Sequence, residues 1–352
     1  MRVSGNVAIV EDRRYRDHRG PAGHPERPER LAAVEQAIDA FRDRVVPLAP
    51  RPAQPEEILR IHDRAHLERV TEAVRQAPQY LDADTYVSRE SLDVALLAAG
   101  GAVELTRRVA RGEARCGFAA LRPPGHHAEP DRAMGFCVFN NAAIAARAVQ
   151  CEERVGRILL LDFDVHHGNG TQHVFEADPT VLYVSTHQFP FYPGSGDFDE
   201  VGTGPGVGAT VNVPMPAGCA DTEYIGVLEH VLVPVARAFR PEMLIVSCGF
   251  DAHRDDPLGG MCVSGAGFRA MTDIIRCLAD ALCDGRAAFV LEGGYAASGL
   301  REGTHAVLEA LLEAEPAQGS AAPAPTPGSV LARVLERVHQ VHGRDFSRAA
   351  KK

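Results

Sequence analysis

The feature that most constrains this chain is an alternation: short, almost wholly apolar runs are separated by longer segments with helical periodicity. The runs cover residues 7–12 (VAIVED), 116–121 (CGFAAL), 157–163 (RILLLDF), 180–186 (TVLYVST), 242–248 (EMLIVSC) and 287–292 (AAFVLE). Residues 91–111, 138–150, 222–239, 265–283 and 299–314 lie among them with the spacing of amphipathic or buried helices. Strands apolar on both faces belong inside a parallel sheet whose crossovers are helices. The expected fold is α/β: a single-domain, three-layer α/β/α sandwich around a central, mostly parallel sheet. Residues 1–314 carry no break in this pattern, 315–329 (Pro/Ala-rich) read as an exposed linker, and 330–352 read as a C-terminal helix and tail docked back on the body.

A formal net charge of −10 argues against a nucleic-acid partner, which would require a basic face. Arginine supplies almost all of the positive charge, since Lys351 and Lys352 are the only lysines, a bias expected of a GC-rich bacterial genome. No apolar run approaches membrane-spanning length and the first residues lack a signal pattern, so no membrane association and a cytoplasmic location are expected. The eight cysteines form no CxxC pair, and several, such as Cys248, sit in apolar surroundings as small core residues. Homo-oligomerisation is left open.

Parallel α/β sheets place their sites beyond the carboxyl ends of their strands. Here RPPGHHAE follows the second run, DVHHGNGTQ the third, GFDAHRDDPLGG the fifth and GGY the last. On extended backbone, residues two apart share a face, so Asp164 and His166 can address one metal with Asp162 behind them. Asp251 arrives from another strand end. Two carboxylates and one imidazole leave a fourth position open, the layout of a catalytic zinc. An isolated DxH can also be read as a helix cap beside a loop histidine, the weaker reading even alone; the other strand ends weigh further against it. A metal site that acidifies water still needs a base and an acid to cleave an amide. His126 and His127 suit those roles if an oxygen-bearing partner fixes each ring, with Asp162 and Asn169 the natural candidates. Tyr295, after Gly293 and Gly294, can donate to a polarised carbonyl, although a Gly-Gly-Tyr taken alone is more often a turn with a packed ring.

The motifs RPPGHHA, GFCVFNNAAIAA, DFDVHHGNGTQ, FYPGSGD, CGFDAHRDDPLGG and LEGGY resemble, in order and spacing, the zinc-dependent histone deacetylase and acetylpolyamine amidohydrolase superfamily. GHPERPERL is similar to the opening of its class II and bacterial members, and the resemblance runs from about residue 7 to about residue 312. It implies a deacetylase-like catalytic domain over residues 1–314, with zinc, or alternatively iron(II), on Asp164, His166 and Asp251. It also implies His127 as principal base and acid, His126 with Asp162 as its electrostatic partner, and Tyr295 on the acyl carbonyl. Phe136, beside Gly135, and Tyr192 match aromatic walls that grip an aliphatic stem. Asp162, Asp164, His166, Ser185 and Thr186 match a structural potassium site. Asp84 matches a rim carboxylate that holds the substrate backbone, Gly294 lies beside the catalytic tyrosine, and Arg30 resembles an arginine linked to acetate release. Asn169 stands where class I members have an aspartate, as in class II.

The implied substrate is an acyl-lysine in a protein or peptide, or a similar small acylated amine. Leu258 occupies the position where polyamine-specific relatives often carry a glutamate, which favours acyl-lysine over acetylpolyamine. An arginase-like enzyme would need two metals and further bridging carboxylates. A silent acyl-lysine reader would be expected to lack a ligand, the base or the tyrosine, all of which are present.

Overall fold

A computed structural model describes residues 6–313, 325–344 and 346; residues 314–324, which hold most of the expected linker, and tail residues 345 and 347–352 lie outside them. Among the described residues the strands are β1 (Val7–Val10), β2 (Val45–Leu48), β3 (Gln79–Tyr80), β4 (Tyr86–Val87), β5 (Cys116–Ala119), β6 (Ile158–Asp162), β7 (Val181–Gln188), β8 (Thr210–Met215), β9 (Met243–Cys248) and β10 (Ala287–Leu291). The helices are α1 (Arg30–Asp39), α2 (Pro55–Ile58), α3 (Arg64–Arg75), α4 (Ser91–Ala110), α5 (Asn141–Glu153), α6 (Asn169–Phe175), α7 (Asp221–Val227), α8 (Val233–Phe239), α9 (Gly265–Leu282), α10 (Ala297–Leu312) and α11 (Val330–His342).

Eight strands form one sheet in the order β2-β1-β5-β10-β9-β6-β7-β8, and every neighbouring pair runs parallel. The six expected strands all lie in it. The two that the apolar pattern does not reveal, β2 and β8, are its edges. Each carries a proline, Pro47 or Pro214, and β2 also exposes Val46. Edge strands tolerate a residue that cannot donate to the ladder, and they need not be apolar on both faces. Residues of β3 and β4 pair separately as a short antiparallel hairpin.

Helices α4 and α5 pack together over one part of the sheet, while α1, α10, α9 and α7 form a second contiguous layer. The segment expected as one helix over 222–239 is divided by a π turn, Leu228–Leu232, where Pro234 has no N–H to return to the preceding turn. The helix expected from 138 starts at Asn141, because the Asn140 side chain accepts from the Ala143 N–H at 3.0 Å and caps it. Helix α11 packs on α7 and β8.

Candidate active site

Four adjacent strands at the centre of the sheet, β5, β10, β9 and β6, deliver the polar residues picked out from the sequence. Asp162 ends β6, with Asp164 and His166 on the segment that follows; Asp251 follows β9. One ligand atom from each of Asp164, His166 and Asp251 lies within 4.8 Å of the others. His166 Nδ1 is 3.1 Å from Asp164 Oδ1 and 3.3 Å from Asp251 Oδ2. Tetrahedral bonds of about 2.0–2.2 Å would separate ligand atoms by about 3.4 Å, so the spacing fits a zinc-sized cation.

The remaining oxygens are held by backbone: Gly293 N–H donates to Asp164 Oδ2 at 2.8 Å and Val165 N–H to Asp251 Oδ1 at 2.8 Å. Asp251 Oδ2, fully buried, accepts no hydrogen bond among the described residues. A side chain at Gly293 would place its Cβ 2.0 Å from Asp251 Oδ2, so only glycine lets the β10 backbone approach this cluster. Burial and the neighbouring Asp164 push Asp251 up to about 7. Burial opposes charging of His166, yet its two carboxylate neighbours hold it at about 10. Two buried carboxylates converging on one imidazole are the charge imbalance that a divalent cation relieves.

The adjacent histidines diverge. His126 Nδ1 meets Asp162 Oδ2 at 3.0 Å, and the Tyr183 hydroxyl donates to the same oxygen at 3.2 Å. Burial acts to lower His126, but Asp164 and Asp162 outweigh it and hold the ring well above its ordinary pKa. His127 Nδ1 meets Asn169 Oδ1 at 2.8 Å, and burial with His126 and His166 beside it depresses His127 well below its ordinary value. One ring is thus poised to be charged and its neighbour to stay neutral.

The loop carrying both is pinned at two points. Arg122, completely buried, donates to both oxygens of Glu26, at 2.5 and 2.7 Å. Glu292, at the end of β10, accepts from the Gly125 and His126 N–H groups at 2.6 and 3.1 Å.

Two aromatic residues lie beside these groups: Tyr192 meets the His127 ring edge-on at 5.1 Å and Phe136 meets Tyr295 edge-on at 5.8 Å. Gly135 has a φ of +57°, and a Cβ there would lie 2.5 Å from the His127 ring. Tyr295 is kept protonated, its phenol pushed well above its ordinary value mainly by burial. Arg30 lies over its ring at 4.8 Å and donates to the carbonyls of Gly294 and Glu292, each at 2.6 Å.

Ser185 pairs in register with Asp162, and the next residue, Thr186, has a buried hydroxyl with no hydrogen bond among the described residues. Asp84 is not part of the metal cluster. It sits in the β3–β4 turn, where its carbonyl accepts from His24 Nε2 at 3.0 Å, and burial with Asp82 beside it raises its carboxyl. Leu258 lies on the loop after Asp251, its N–H donating to Asp256 Oδ1 at 2.9 Å.

The histone deacetylase domain family matches residues 24–311, most of the chain. The chain belongs to the histone deacetylase family. It is 42% identical over 300 residues to Histone deacetylase 15 of Arabidopsis thaliana, covering 83% of this chain and 53% of that protein. It is 40% identical over 300 residues to a probable deacetylase of Archaeoglobus fulgidus, covering 83% and 82%. The crystal structure of the HDA15 HD domain superposes with a TM-score of 0.89 at 38% identity, covering 96% of this chain and 94% of that one. The chain spans about half the length of Histone deacetylases 15 and 5 of A. thaliana, 53% and 51%.

Within this family member, several site contacts are not evident from motif spacing. Phe191 stacks on His166 at 5.4 Å, and His167 Nδ1 bonds Ser195 Oγ at 2.8 Å, tying the second histidine pair to the Tyr192 loop. Asp256 Oδ2 accepts from the N–H groups of Tyr295 and Ala296, at 2.6 and 3.0 Å, and so holds the tyrosine's backbone. Their one sequence signal is inclusion in the quoted motifs; their partners lie far away in the chain.

Proposed function

We propose that this chain is a zinc-dependent deacylase that hydrolyses the side-chain amide of acyl-lysine in proteins or peptides, releasing a carboxylate and a free amine. The observation that carries the reading is the Asp164–His166–Asp251 cluster with His127 beside it, the Nδ1 of that ring against Asn169 Oδ1. A cation on these three residues would supply Lewis-acid polarisation of the acyl carbonyl and acidify a water molecule.

The protein's own groups supply the rest. His127 is buried and neutral, so the ring nitrogen not engaged by Asn169 takes a proton from the attacking water. The Tyr295 hydroxyl, kept protonated by burial, donates to the acyl oxygen as charge develops there. His127 then returns the proton to the departing amine. His126, tied to Asp162, stays an electrostatic partner. Phe136 and Tyr192 flank an aliphatic stem and exclude water from it. We further read Asp162, Asp164, His166, Ser185 and Thr186 as the potassium site, in keeping with a Thr186 hydroxyl that has no hydrogen bond among the described residues. The class II-like bacterial placing, and residues 1–314 as the catalytic domain, belong to the same proposal.

An acetylated polyamine is the second substrate class, favoured by the acidic Asp82 and Asp84 at the β3–β4 turn and opposed by apolar Leu258. An acetyl-lysine peptide reporter tests the reading. Asp251→Ala and Tyr295→Phe should each cut turnover by about 10²-fold or more; wild-type rates in either variant would overturn it.

A further inference from the structure

The support of His127 extends past the residues named so far. Asn169 directs its amide nitrogen at Glu129 Oε1 and at the carbonyl of His127, 3.3 Å away, with Met134 Sδ at 3.4 Å. A carboxylate and a carbonyl only accept, so the amide turns its NH2 to them and its oxygen to the imidazole. That oxygen also only accepts, so His127 must carry its hydrogen on Nδ1 and its lone pair on Nε2. Glu129 is buried, but His173, whose side chain is 43% exposed, meets its Oε2 at 2.7 Å, and Arg132 stands 3.6 Å from Oε1. Burial works to raise the Glu129 carboxyl; bonds from His173 and Asn169 outweigh it and hold it below its ordinary value.

We propose that Glu129 is a positioning residue for the base. Through Asn169 it fixes the Nδ1–H tautomer of His127, and it supplies, one residue further out, the negative charge that a carboxylate at position 169 would place directly against the ring. The inference rests on His127 acting as the base in the proposed deacylation.

The arrangement has a consequence specific enough to test. Positions 129 and 169 are in hydrogen-bond contact, so they accommodate one carboxylate and one amide in either order, whereas two carboxylates repel and two amides leave the base without its charge. In the metal-loaded full chain with an acetyl-lysine peptide, Glu129→Gln should lower kcat roughly tenfold while KM stays within about twofold, the size expected of a residue that orients a functional histidine. Asn169→Asp alone should also lower kcat. The double variant, in which the new amide at position 129 donates to the new carboxylate at position 169, should exceed both single variants. Mere loss of packing would make the double variant no better than the worse single, and that result would overturn the proposal, as would wild-type kcat in Glu129→Gln. Should Glu129→Gln fail to fold, the double variant still decides.

A readout that needs no turnover separates this inference from the functional one. In metal-free protein with 15N-labelled histidine, His127 should show one Nδ1–H tautomer in the wild type and a mixture in Glu129→Gln; a single Nδ1–H tautomer in both would overturn the role of Glu129. A wild type that is folded and metal-loaded but inactive on acyl-lysine would overturn the proposed substrate, leaving the tautomer measurement to judge Glu129.

Discussion

His126 and His127 are neighbours in sequence, yet their supports differ. His126 leans on Asp162, a carboxylate with no exposure, shared among the described residues with Tyr183 and backbone. His127 leans on a neutral amide, behind which Glu129 and His173 lead out to solvent. Removing one member of a charged pair sealed in the core strands the other there, whereas removing a neutral imidazole from an amide strands no charge. On the proposed function, the first histidine would hold the site's electrostatics and the second would move protons.

Substitution of each ring sharpens that contrast most strongly. His127→Ala should lower kcat by about 10²–10⁴-fold, the usual contribution of a positioned acid–base group, with little change in thermal midpoint. His126→Ala strands Asp162 in the core and should cost about 3–5 kcal/mol of stability, read by denaturant unfolding, besides any loss of rate. Equal stability losses in the two variants would erase the distinction.

The smallest effect concerns the solvent end. Glu129 lies below its ordinary value near 4.5, so its stabilising contribution is present above that pH and is lost as pH falls. His173, raised by its hydrogen bond to Glu129 above its ordinary value near 6.5, contributes fully below that pH and loses its contribution as pH rises through the raised value. The stability difference between wild type and His173→Ala should therefore be greatest between about pH 4.5 and 6.5 and should stay below about 1 kcal/mol, because the pair is partly exposed. A difference that grows above pH 8 would reverse the sign and refute the pairing.

Much of this was legible in the sequence, for identifiable reasons. Strands β5, β6, β9 and β10 are apolar on both faces, so their carboxyl ends, and the residues beyond them, can be located without coordinates. The edges β2 and β8 escape because proline and exposed residues are tolerated where one ladder is missing. Asp164, His166 and Asp251 follow from period-two spacing plus a neighbouring strand end. Glu129 stands beside the two histidines in the motif RPPGHHAE, but its role depends on α6 bringing Asn169 and His173 back to it across some forty residues. Asp84 is placed by a hairpin whose strands, Gln79–Tyr80 and Tyr86–Val87, are too short to leave a periodic signal.

The most direct test of the account measures metal content and hydrolysis on one wild-type sample, with an acetyl-lysine peptide and N-acetylputrescine side by side. The account predicts one divalent cation per chain at the three-residue cluster, acetate release that disappears on chelation and returns with zinc, and faster turnover of the peptide. Undiminished turnover after complete metal removal, or release from neither substrate by the fully loaded protein, would contradict it.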